Sequence, residues 1–231
     1  MPARAGSKGL PGKNLRTFCG VPLVALAGNV ARQVEQIDRF VVSTDSVEIA
    51  GVAERSGLAA PFMRPLELSG DLVGDVDVLL HALRMTEDLD NCRYDIVVML
   101  QPTSPLRTAE EIRGCLETFA ANNADSVWSV SPADKKYHPL KQLRAVNGRL
   151  SYYDAKGAAI IARQQLDELY FRNGVAYVVS RSCLMDDRSL MGKRSFAYIT
   201  MQTHISIDTA EDLELAQQIA RKSGMFGYGD V

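Results

Sequence analysis

A short segment near the start of the chain concentrates glycines and basic residues. Residues 3–14 read Ala-Arg-Ala-Gly-Ser-Lys-Gly-Leu-Pro-Gly-Lys-Asn. Its glycines, which leave backbone N–H groups free to approach an anion, are Gly6, Gly9 and Gly12, and its cations are Arg4, Lys8 and Lys13. Because such cations are suited to neutralise a triphosphate, the segment predicts a phosphate-binding loop. A solvated basic surface loop is the alternative that its composition leaves open.

The spacing within this loop separates it from two common nucleotide-binding motifs. Five residues, rather than four, lie between Gly6 and Gly12, and Asn14 stands where a Walker loop has the Ser or Thr that holds magnesium. The segment also lacks the G-x-G-x-x-G pattern of dinucleotide-binding folds. Walker-type and nicotinamide-type sites are therefore disfavoured.

The charge distribution favours a compact polyanionic ligand. Residues 1–34 contain five cations and no carboxylate, although the whole chain carries a formal net charge of −2. A nucleic-acid-binding chain is more often basic throughout, and nothing in the charge pattern favours DNA, RNA or lipid. A local cationic cluster on a mildly acidic protein better suits a nucleoside triphosphate.

Polar side chains follow predicted strands at two further places. Three of them come directly after the apolar run 96–100, and they are Gln101, Thr103 and Ser104. Asp208 follows a predicted strand at 204–207. Because open α/β sheets bind ligands at the carboxyl ends of their strands, the first set predicts partners for a polar substrate and Asp208 predicts a hard oxygen ligand for a divalent metal. A turn before a helix cap at Thr108 is the alternative reading of the first set.

The segments that must position these residues alternate between strand-like and helical patterns. Short β-branched runs predict strands at 40–43, 96–100, 126–130 and 175–179. Apolar residues at helical spacing predict helices at 23–34, 46–56, 76–88, 109–121 and 210–222. Capping boxes mark three helix starts, at Asp45/Glu48, Thr108/Glu111 and Thr209/Asp212. This alternation predicts an α/β fold with a mostly parallel sheet.

Length and composition fit a globular chain. The 231 residues suit one large domain or two small ones, and 46% of them are hydrophobic. No apolar run reaches the roughly 18 residues of a membrane span, and the N-terminus lacks the apolar core of a signal peptide, so we expect a cytoplasmic protein with no membrane partner. Four scattered cysteines predict neither a zinc site nor a disulfide framework.

Two segments break the alternation. Residues 131–172 contain several cations and a Val-Asn-Gly-Arg hairpin sequence at 146–149, which predicts an excursion from the core that serves as a lid or an oligomerisation arm. At its start, the chain enters the loop without the apolar strand that would launch a phosphate loop. We therefore expect that a few N-terminal residues are missing from this sequence.

Six segments together resemble the N-acylneuraminate cytidylyltransferases, which are the CMP-sialic acid synthetases and their bacterial relatives for legionaminic and pseudaminic acid. The segments extend over nearly the whole chain. They are Pro-Ala-Arg-Ala-Gly-Ser-Lys-Gly-Leu-Pro-Gly-Lys-Asn (2–14), Val-Ser-Thr-Asp (42–45), Arg-Pro-Leu-Glu-Leu-Ser (64–69), Leu-Gln-Pro-Thr-Ser-Pro-Leu-Arg (100–107), Arg-Asn-Gly-Val-Ala-Tyr (172–177) and Ser-Ile-Asp-Thr-Ala-Glu-Asp-Leu (206–213).

The resemblance implies a Rossmann-like nucleotidyltransferase fold and a reaction. The core would comprise residues 1–130 and 173–231, and residues 131–172 would form a protruding dimerisation subdomain of a homodimer. CTP would condense with a nine-carbon 2-keto sugar acid to give a CMP-sugar and pyrophosphate. The deoxy-manno-octulosonate cytidylyltransferases share this fold but usually have a Ser-x-Arg-Leu-Pro-Gly-Lys loop, so the loop here fits the neuraminate side better.

The resemblance also implies roles for individual residues. The catalytic group would be Lys13, Arg4 and Asp208. The nucleotide would be bound by Arg4, Gly6, Ser7, Lys8, Lys13, Asn14 and Arg64. The sugar would be bound by Gln101, Thr103, Ser104, Arg163, Arg172 and Asn173, with Arg163 reaching the partner's site. Mg²⁺ or Mn²⁺ would be held by Asp208. Arg107 is a further candidate for the sugar carboxylate, with a surface position as its alternative.

The sequence departs from the family at the metal position. Many relatives have Asp-Ile-Asp where this chain has Ser206-Ile207-Asp208, so a site with two carboxylates is in doubt. Three functions stay open at this point. The first is nonulosonic acid activation, with neuraminic, legionaminic and pseudaminic acid unresolved. The second is a nucleotidyltransferase for another sugar acid such as deoxy-manno-octulosonate, and the third is a catalytically silent nucleotide-sugar binding protein.

Overall fold

The computed structural model describes residues 1–225, and its regular elements alternate along the chain. The helices are α1 (Leu23–Ala31), α2 (Val47–Arg55), α3 (Asp75–Asp90), α4 (Ala109–Ala121), α5 (Arg181–Met185) and α6 (Ala210–Ser223). The strands are β1 (Thr17–Phe18), β2 (Val21–Pro22), β3 (Ile96–Met99), β4 (Ser126–Pro132), β5 (Leu143–Val146), β6 (Arg149–Tyr152), β7 (Tyr170–Ser180) and β8 (Ser195–Ile199). This alternation confirms the predicted α/β class.

The main sheet has four strands in the order β3-β7-β4-β8. Strand β7 runs antiparallel to both of its neighbours, and only the β4–β8 pair is parallel. The sheet is therefore mixed, which corrects the prediction of a mostly parallel one. The physical reason is that the chain leaves β4 through a long excursion and returns to pair with β4 itself, as the two arms of a hairpin do.

Helices cover both faces of this sheet, so β7 is buried on both sides from Asn173 to Val179. On one face, Ile112 of α4 packs in a cluster with Val178. On the other face, Leu83 of α3 packs in a cluster with Val179. Burial on both faces explains the continuous apolar run in β7, which sequence patterning detected at 175–179.

The first residues of the chain run beside the segment around residue 43. Isolated parallel bridges join Pro2 to Ser43, Val41 to Ala59 and Thr44 to Met63. The predicted strand at 40–43 is thus extended but held by single bridges. Because residues 1–3 lead straight into the glycine-rich loop, this pairing fixes where that loop begins.

Residues 133–169 form the predicted excursion. They contain the antiparallel hairpin of β5 and β6, whose two-residue turn is Asn147-Gly148 as the hairpin sequence predicts. Four short 3-10 helices complete the segment, and both strands of the hairpin are exposed along their whole length. The outer parts of the predicted 131–172 segment, residues 131–132 and 170–172, belong to the β4–β7 ladder.

Two of the three predicted capping boxes are present, at Thr108/Glu111 and Thr209/Asp212. The third is wrong, because the α2 N-cap is Ser46, whose hydroxyl accepts from the Ile49 N–H. The strand predicted at 204–207 is not formed. The edge of the main sheet is occupied by β8, and the Ile207 N–H instead donates to the carbonyl of Thr103.

Across the described part of the chain, residues 1–225, no helix combines the length and the apolar character needed to cross a bilayer.

Candidate active site

The glycine-rich loop is closed at its base by a buried amide. Asn14 is 5% exposed, and its Nδ2 donates to the backbone carbonyl of Arg4 at 2.9 Å. The Ala5 N–H donates to Oδ1 of Asp45 at 2.9 Å. These two contacts join the loop to itself and to the segment that follows residues 41–43. These contacts give the loop a defined shape, which suits a phosphate cradle built from backbone N–H groups.

Asp71 bridges the two cations at the open side of the loop. Its carboxylate lies 2.6 Å from Arg4 Nη1 and 2.6 Å from Lys8 Nζ. The hydrogen bonds from Lys8 and Arg4 hold the pKa of Asp71 below its usual range. An anionic group of the protein thus occupies the place where the loop cations would meet a phosphate. Sequence reasoning missed this residue, which follows the 64–69 segment by two positions.

Lys13 lies on the opposite side of the loop, against the residues that precede α6. Its Nζ donates to Asp208 Oδ1 at 2.9 Å and to the backbone carbonyl of Ile207 at 3.3 Å. Gly9 makes this approach feasible, because a Cβ there would lie 2.5 Å from the backbone oxygen of Asp208. The structure therefore brings together two of the three residues predicted to be catalytic, Lys13 and Asp208.

Arg64 lies behind the loop with its guanidinium buried. Its Nε donates to Ser69 Oγ at 3.2 Å, and its Nη2 lies 3.8 Å from Asp45 Oδ1. Burial lowers the pKa of this guanidinium, and the neighbouring Asp45 carboxylate opposes that shift. Asp45, which sequence reasoning assigned to a helix cap with Glu48, instead holds both the loop and Arg64.

The predicted sugar-binding segment is joined directly to the Lys13–Asp208 pair. The carbonyl of Thr103 accepts from the Ile207 N–H at 2.8 Å. Thr103 and Ser104 are buried, and Ser104 Oγ donates to the carbonyl of Asn173 at 3.0 Å. Gly174 permits this packing, since a Cβ there would lie 2.4 Å from Ser104 Oγ. Residues 101–104 are therefore held within one network with the loop.

Arg107 is a support for this network and is 3% exposed. Its Nη2 donates to the carbonyls of Gln101 and Gly174 at 2.6 and 2.8 Å, and its Nε donates to that of Val175 at 2.8 Å. Burial lowers the pKa of this guanidinium to about 10. Its interpretation as a surface residue is wrong. Nε and Nη2 hold backbone carbonyls, while Nη1 is buried with no hydrogen-bond partner among the described residues, and the predicted contact with the sugar carboxylate stays a prediction.

Asn173 is also buried, and its side chain is fully engaged within the protein. Its Oδ1 accepts from Ser129 Oγ at 2.7 Å, while its Nδ2 donates to Ser131 Oγ and Thr200 Oγ1 at 3.0 and 2.9 Å. This arrangement fixes the start of the buried part of β7. Its predicted contact with the sugar stays a prediction.

The two remaining predicted sugar ligands lie outside this network. Arg172 is exposed on β7, with its guanidinium 5.5 Å from the centroid of the Trp128 ring. Arg163 lies in the excursion, where its carbonyl accepts from Lys135 Nζ at 3.5 Å. Within residues 1–225 no hydrogen bond or ion pair joins Arg163 to the loop or to residues 101–104.

Asp208 is suited to hold a divalent cation as a single carboxylate. Its side chain is 67% exposed, and Oδ2 has no partner among the described residues. Asp212 accepts from the N–H of Thr209, the N-cap of α6, in the capping box. Residues 1–225 contain no group of three or more His, Cys, Asp or Glu side chains placed to hold a metal. Magnesium normally takes one or two carboxylates and completes its octahedron with water and phosphate oxygens, so this donor set fits.

An α/β fold that presents a cationic glycine loop beside an exposed carboxylate and a polar strand end is typical of a nucleotidyltransferase. The comparison with known sequences gives the particular family. The chain belongs to the cytidylyltransferase family, whose profile matches residues 1–229. This confirms the resemblance seen in the six segments.

Individual relatives match almost the whole chain. The CMP-N,N'-diacetyllegionaminic acid synthase of Legionella pneumophila is 31% identical over 221 residues, which cover 95% of this chain and 94% of that protein. The N-acylneuraminate cytidylyltransferase of Escherichia coli is 30% identical over 96% of this chain and 51% of its own length.

A solved structure supports the fold. The CMP:2-keto-3-deoxy-manno-octonic acid synthetase complexed with CTP superposes with a TM-score of 0.70. The match covers 96% of this chain and 97% of that one at 19% identity. It confirms the predicted nucleotidyltransferase-like α/β fold.

Proposed function

We propose that this enzyme transfers the cytidylyl group of CTP to a nine-carbon 2-keto sugar acid, giving a CMP-sugar and pyrophosphate. The observation that supports this most is the continuity of the site. Lys13 of the loop contacts Asp208, and the residue before Asp208 bonds to Thr103 of the polar strand end. A triphosphate on the loop and a hydroxyl-rich acid at residues 101–104 would therefore lie next to each other.

The reaction forms one bond and breaks one. An oxygen of a sugar hydroxyl attacks the α-phosphorus of CTP, and the bond from that phosphorus to the oxygen bridging to the β-phosphate breaks. Pyrophosphate leaves with the electron pair, and the hydroxyl proton passes to solvent. Because little further chemistry is required, positioning and charge compensation account for most of the catalysis.

The loop supplies the positive charge in this proposal. Arg4 and Lys8 bind the outer phosphates once they leave Asp71, and Lys13 neutralises charge at the transferring phosphate. The N–H groups of Gly6 and Ser7 bind the phosphates in this proposal, and the space beside Gly6, where a Cβ would meet no protein atom within 4 Å, leaves room for them. Asn14 and Arg64 hold the nucleotide end of the site.

The polar strand end receives the sugar acid in this proposal. Gln101 is partly exposed there and offers an amide, while Thr103 and Ser104 offer hydroxyls from more buried positions. Arg172 and Arg163 supply positive charge for the substrate carboxylate, and Asn173 holds the strand that carries Arg172. Mg²⁺ or Mn²⁺ on Asp208 would compensate charge on the phosphates.

We infer that the enzyme is a homodimer formed through the excursion. Several large apolar side chains are exposed there, which is unusual for a free surface. They include Leu143, Val146, Leu150, Tyr152, Tyr153 and Ile161. An interface on this face would bury them and would let Arg163 of one copy reach the sugar site of its partner.

The substrate class is tested by pyrophosphate release from CTP and Mg²⁺ with a panel of acids. The panel contains N-acetylneuraminic, N,N'-diacetyllegionaminic, pseudaminic and deoxy-manno-octulosonic acid, each also assayed with ATP, GTP and UTP. We expect turnover with CTP and at least one nine-carbon acid. Turnover with the eight-carbon acid alone would transfer the proposal to that substrate, and release with none would contradict an active enzyme.

A further inference from the structure

Strand β7 contains a large bulge where it pairs with β4. Trp128 of β4 lies opposite Tyr177, but two residues further along β4 the partner is Arg172. In a regular antiparallel ladder that partner would be residue 175. Residues 173–176 therefore lie opposite a single residue of β4. A bulge redirects the side chains beside it, and bulges are common next to active sites. Here the redirected side chain is that of Arg172.

The backbone of this bulge is held by side chains. Each N–H of residues 174–176 and each carbonyl of residues 173–175 has a side-chain partner within the protein. Because a buried backbone group without a partner costs free energy, this matching makes the bulge a defined conformation. The N–H groups donate to Tyr177 Oη, Asn173 Oδ1 and Ser129 Oγ, and the carbonyls accept from Ser104 Oγ and from Nη2 and Nε of Arg107, all at 2.8 to 3.2 Å.

Arg172, at the edge of the bulge, lies over the ring of Trp128. Its guanidinium is 5.5 Å from the ring centroid, which is within the distance of a cation–π contact. The guanidinium makes no hydrogen bond or ion pair with any of residues 1–225. Its donors are therefore free, and a guanidinium presents them as a planar fork that matches a carboxylate.

The ring of Trp128 is itself fixed by two contacts. Its Nε1 donates to the carbonyl of Leu190 at 2.7 Å. The ring also meets that of Tyr177 edge to face, with the centroids 5.1 Å apart and an angle of 70° between the planes. Trp128 therefore offers Arg172 an oriented surface.

This aromatic pair is connected to the polar strand end at residues 101–104. The Tyr177 hydroxyl accepts from the Gly174 N–H. On its other side Gly174 packs against Gln101, because a Cβ there would lie 2.8 Å from Gln101 Oε1. Arg172 precedes Gly174 by two residues, which is about 7 Å of extended chain. The guanidinium and the Gln101 amide thus lie beside neighbouring parts of one fixed segment.

We propose that Trp128 is a positioning residue, which holds Arg172 over its ring so that the guanidinium receives the carboxylate of the sugar acid. The inference rests on the proposed function, in which this acid is the second substrate. An arginine without such a surface samples many rotamers, and ordering it on binding costs free energy. The Trp128 ring lowers that cost, so its effect falls on the affinity for the acid and not on that for CTP.

Steady-state kinetics with the acid that gives turnover test this role. Trp128→Leu should raise the KM for the acid about fivefold and leave the KM for CTP nearly unchanged. Trp128→Phe keeps an aromatic ring and should recover most of the affinity. Arg172→Gln should raise the KM for the acid at least as much as Trp128→Leu does. When both residues are changed, Trp128→Leu should add little to Arg172→Gln, because the two residues serve one contact.

Arg188→Gln, which removes an exposed arginine elsewhere, is the control and should change neither KM. A rise in both KM values with Trp128→Leu would show that the ring only supports the fold. Independent effects of the two changes in the double variant would show that Trp128 does not act through Arg172. Either result would overturn the proposal.

Fluorescence gives a measurement that does not depend on turnover, because Trp128 is the single tryptophan of the chain. N-acetylneuraminic, N,N'-diacetyllegionaminic and pseudaminic acid are each titrated into the full chain with CTP and without Mg²⁺. The methyl ester of each acid, which lacks the charge, is the control. We expect at least one acid, and not its ester, to change the emission of Trp128, and Arg172→Gln to abolish the change. This measurement uses the unaltered ring, so it stands even if Trp128→Leu fails to fold.

The two measurements separate this inference from the proposed function. Turnover of an acid whose binding leaves the emission unchanged would overturn the inference and leave the proposed function intact. A change in emission without turnover of any acid would support the role of Arg172 and Trp128 and contradict the proposed reaction. Neither turnover nor a change in emission with any of the acids would overturn both.

Discussion

The Lys13 ammonium lies 2.9 Å from the Asp208 carboxylate, although the two residues are 195 positions apart in the chain. Gly9 makes room for this contact by packing against the Asp208 backbone. The pair joins a cation suited to the transferring phosphate with the carboxylate suited to a metal. Changing either residue therefore alters the environment of the other, and each needs its own control.

Lys13→Ala should lower kcat by two or more orders of magnitude. The reason is the loss of one charge contact in the transition state, which is worth roughly 3 kcal/mol. Pyrophosphate release at saturating CTP measures the effect. Lys193→Ala removes an exposed lysine elsewhere and should leave the rate unchanged. A Lys13→Ala enzyme that keeps more than half of the normal rate would remove Lys13 from catalysis.

Asp71→Asn should lower the KM for CTP about fivefold while changing kcat little, because a triphosphate must displace Asp71 from Arg4 and Lys8. Both ion pairs of Asp71 are exposed to solvent and therefore weak, so the expected factor is small. Asp77→Asn breaks a different exposed ion pair, with Arg188, and serves as the matched control. A raised KM in Asp71→Asn would mean that Asp71 shapes the loop for binding rather than competing with the ligand.

Much of the fold follows from local sequence patterns. The structure differs from the sequence-based predictions where contacts between distant residues determine the local conformation. The helix at 109–121 was predicted with its observed ends because its period and its capping box agree. At α2, two adjacent residues can cap. Asp45 is engaged by the Ala5 N–H, which leaves the cap to Ser46. That competition involves residues 40 positions apart and has no local signal.

The features of the candidate site also divide into those with a local sequence pattern and those that depend on tertiary contacts. Glycine and cation density predicted the loop, because both properties are local. Neither the Asp71 bridge nor the burial of Arg107 has a sequence signal, since each depends on where a distant backbone lies. The antiparallel direction of β7 was missed for the same reason, because strand patterns do not encode which neighbour a strand pairs with.

A double change in the excursion, Leu150→Asp with Ile161→Asp, should convert the proposed dimer into a monomer. Both side chains are exposed in the single chain, at 70% and 93%, so the charges would be buried only in an interface. Light scattering at micromolar concentration gives the mass, against 25.3 kDa for one chain. Val47→Asp, on an exposed apolar residue outside the excursion, should not change it. An unaltered protein that is already monomeric would contradict the prediction.

Asp208→Asn should reduce pyrophosphate release to about 1% or less, because it removes the anionic oxygen that would hold Mg²⁺ beside the phosphates. The fold should persist, since the side chain is 67% exposed.

Ser206→Asp is the matched test at the neighbouring exposed position. A second carboxylate at this position should leave the rate within about twofold of that of the unaltered enzyme. It should also lower the Mg²⁺ concentration needed for half-maximal activity. Asp208→Glu, which keeps the charge, should retain more activity than Asp208→Asn. If Asp208→Asn kept a near-normal rate at ordinary Mg²⁺ concentrations, the metal would be held by other groups, and the contact with Lys13 would be the remaining role of Asp208.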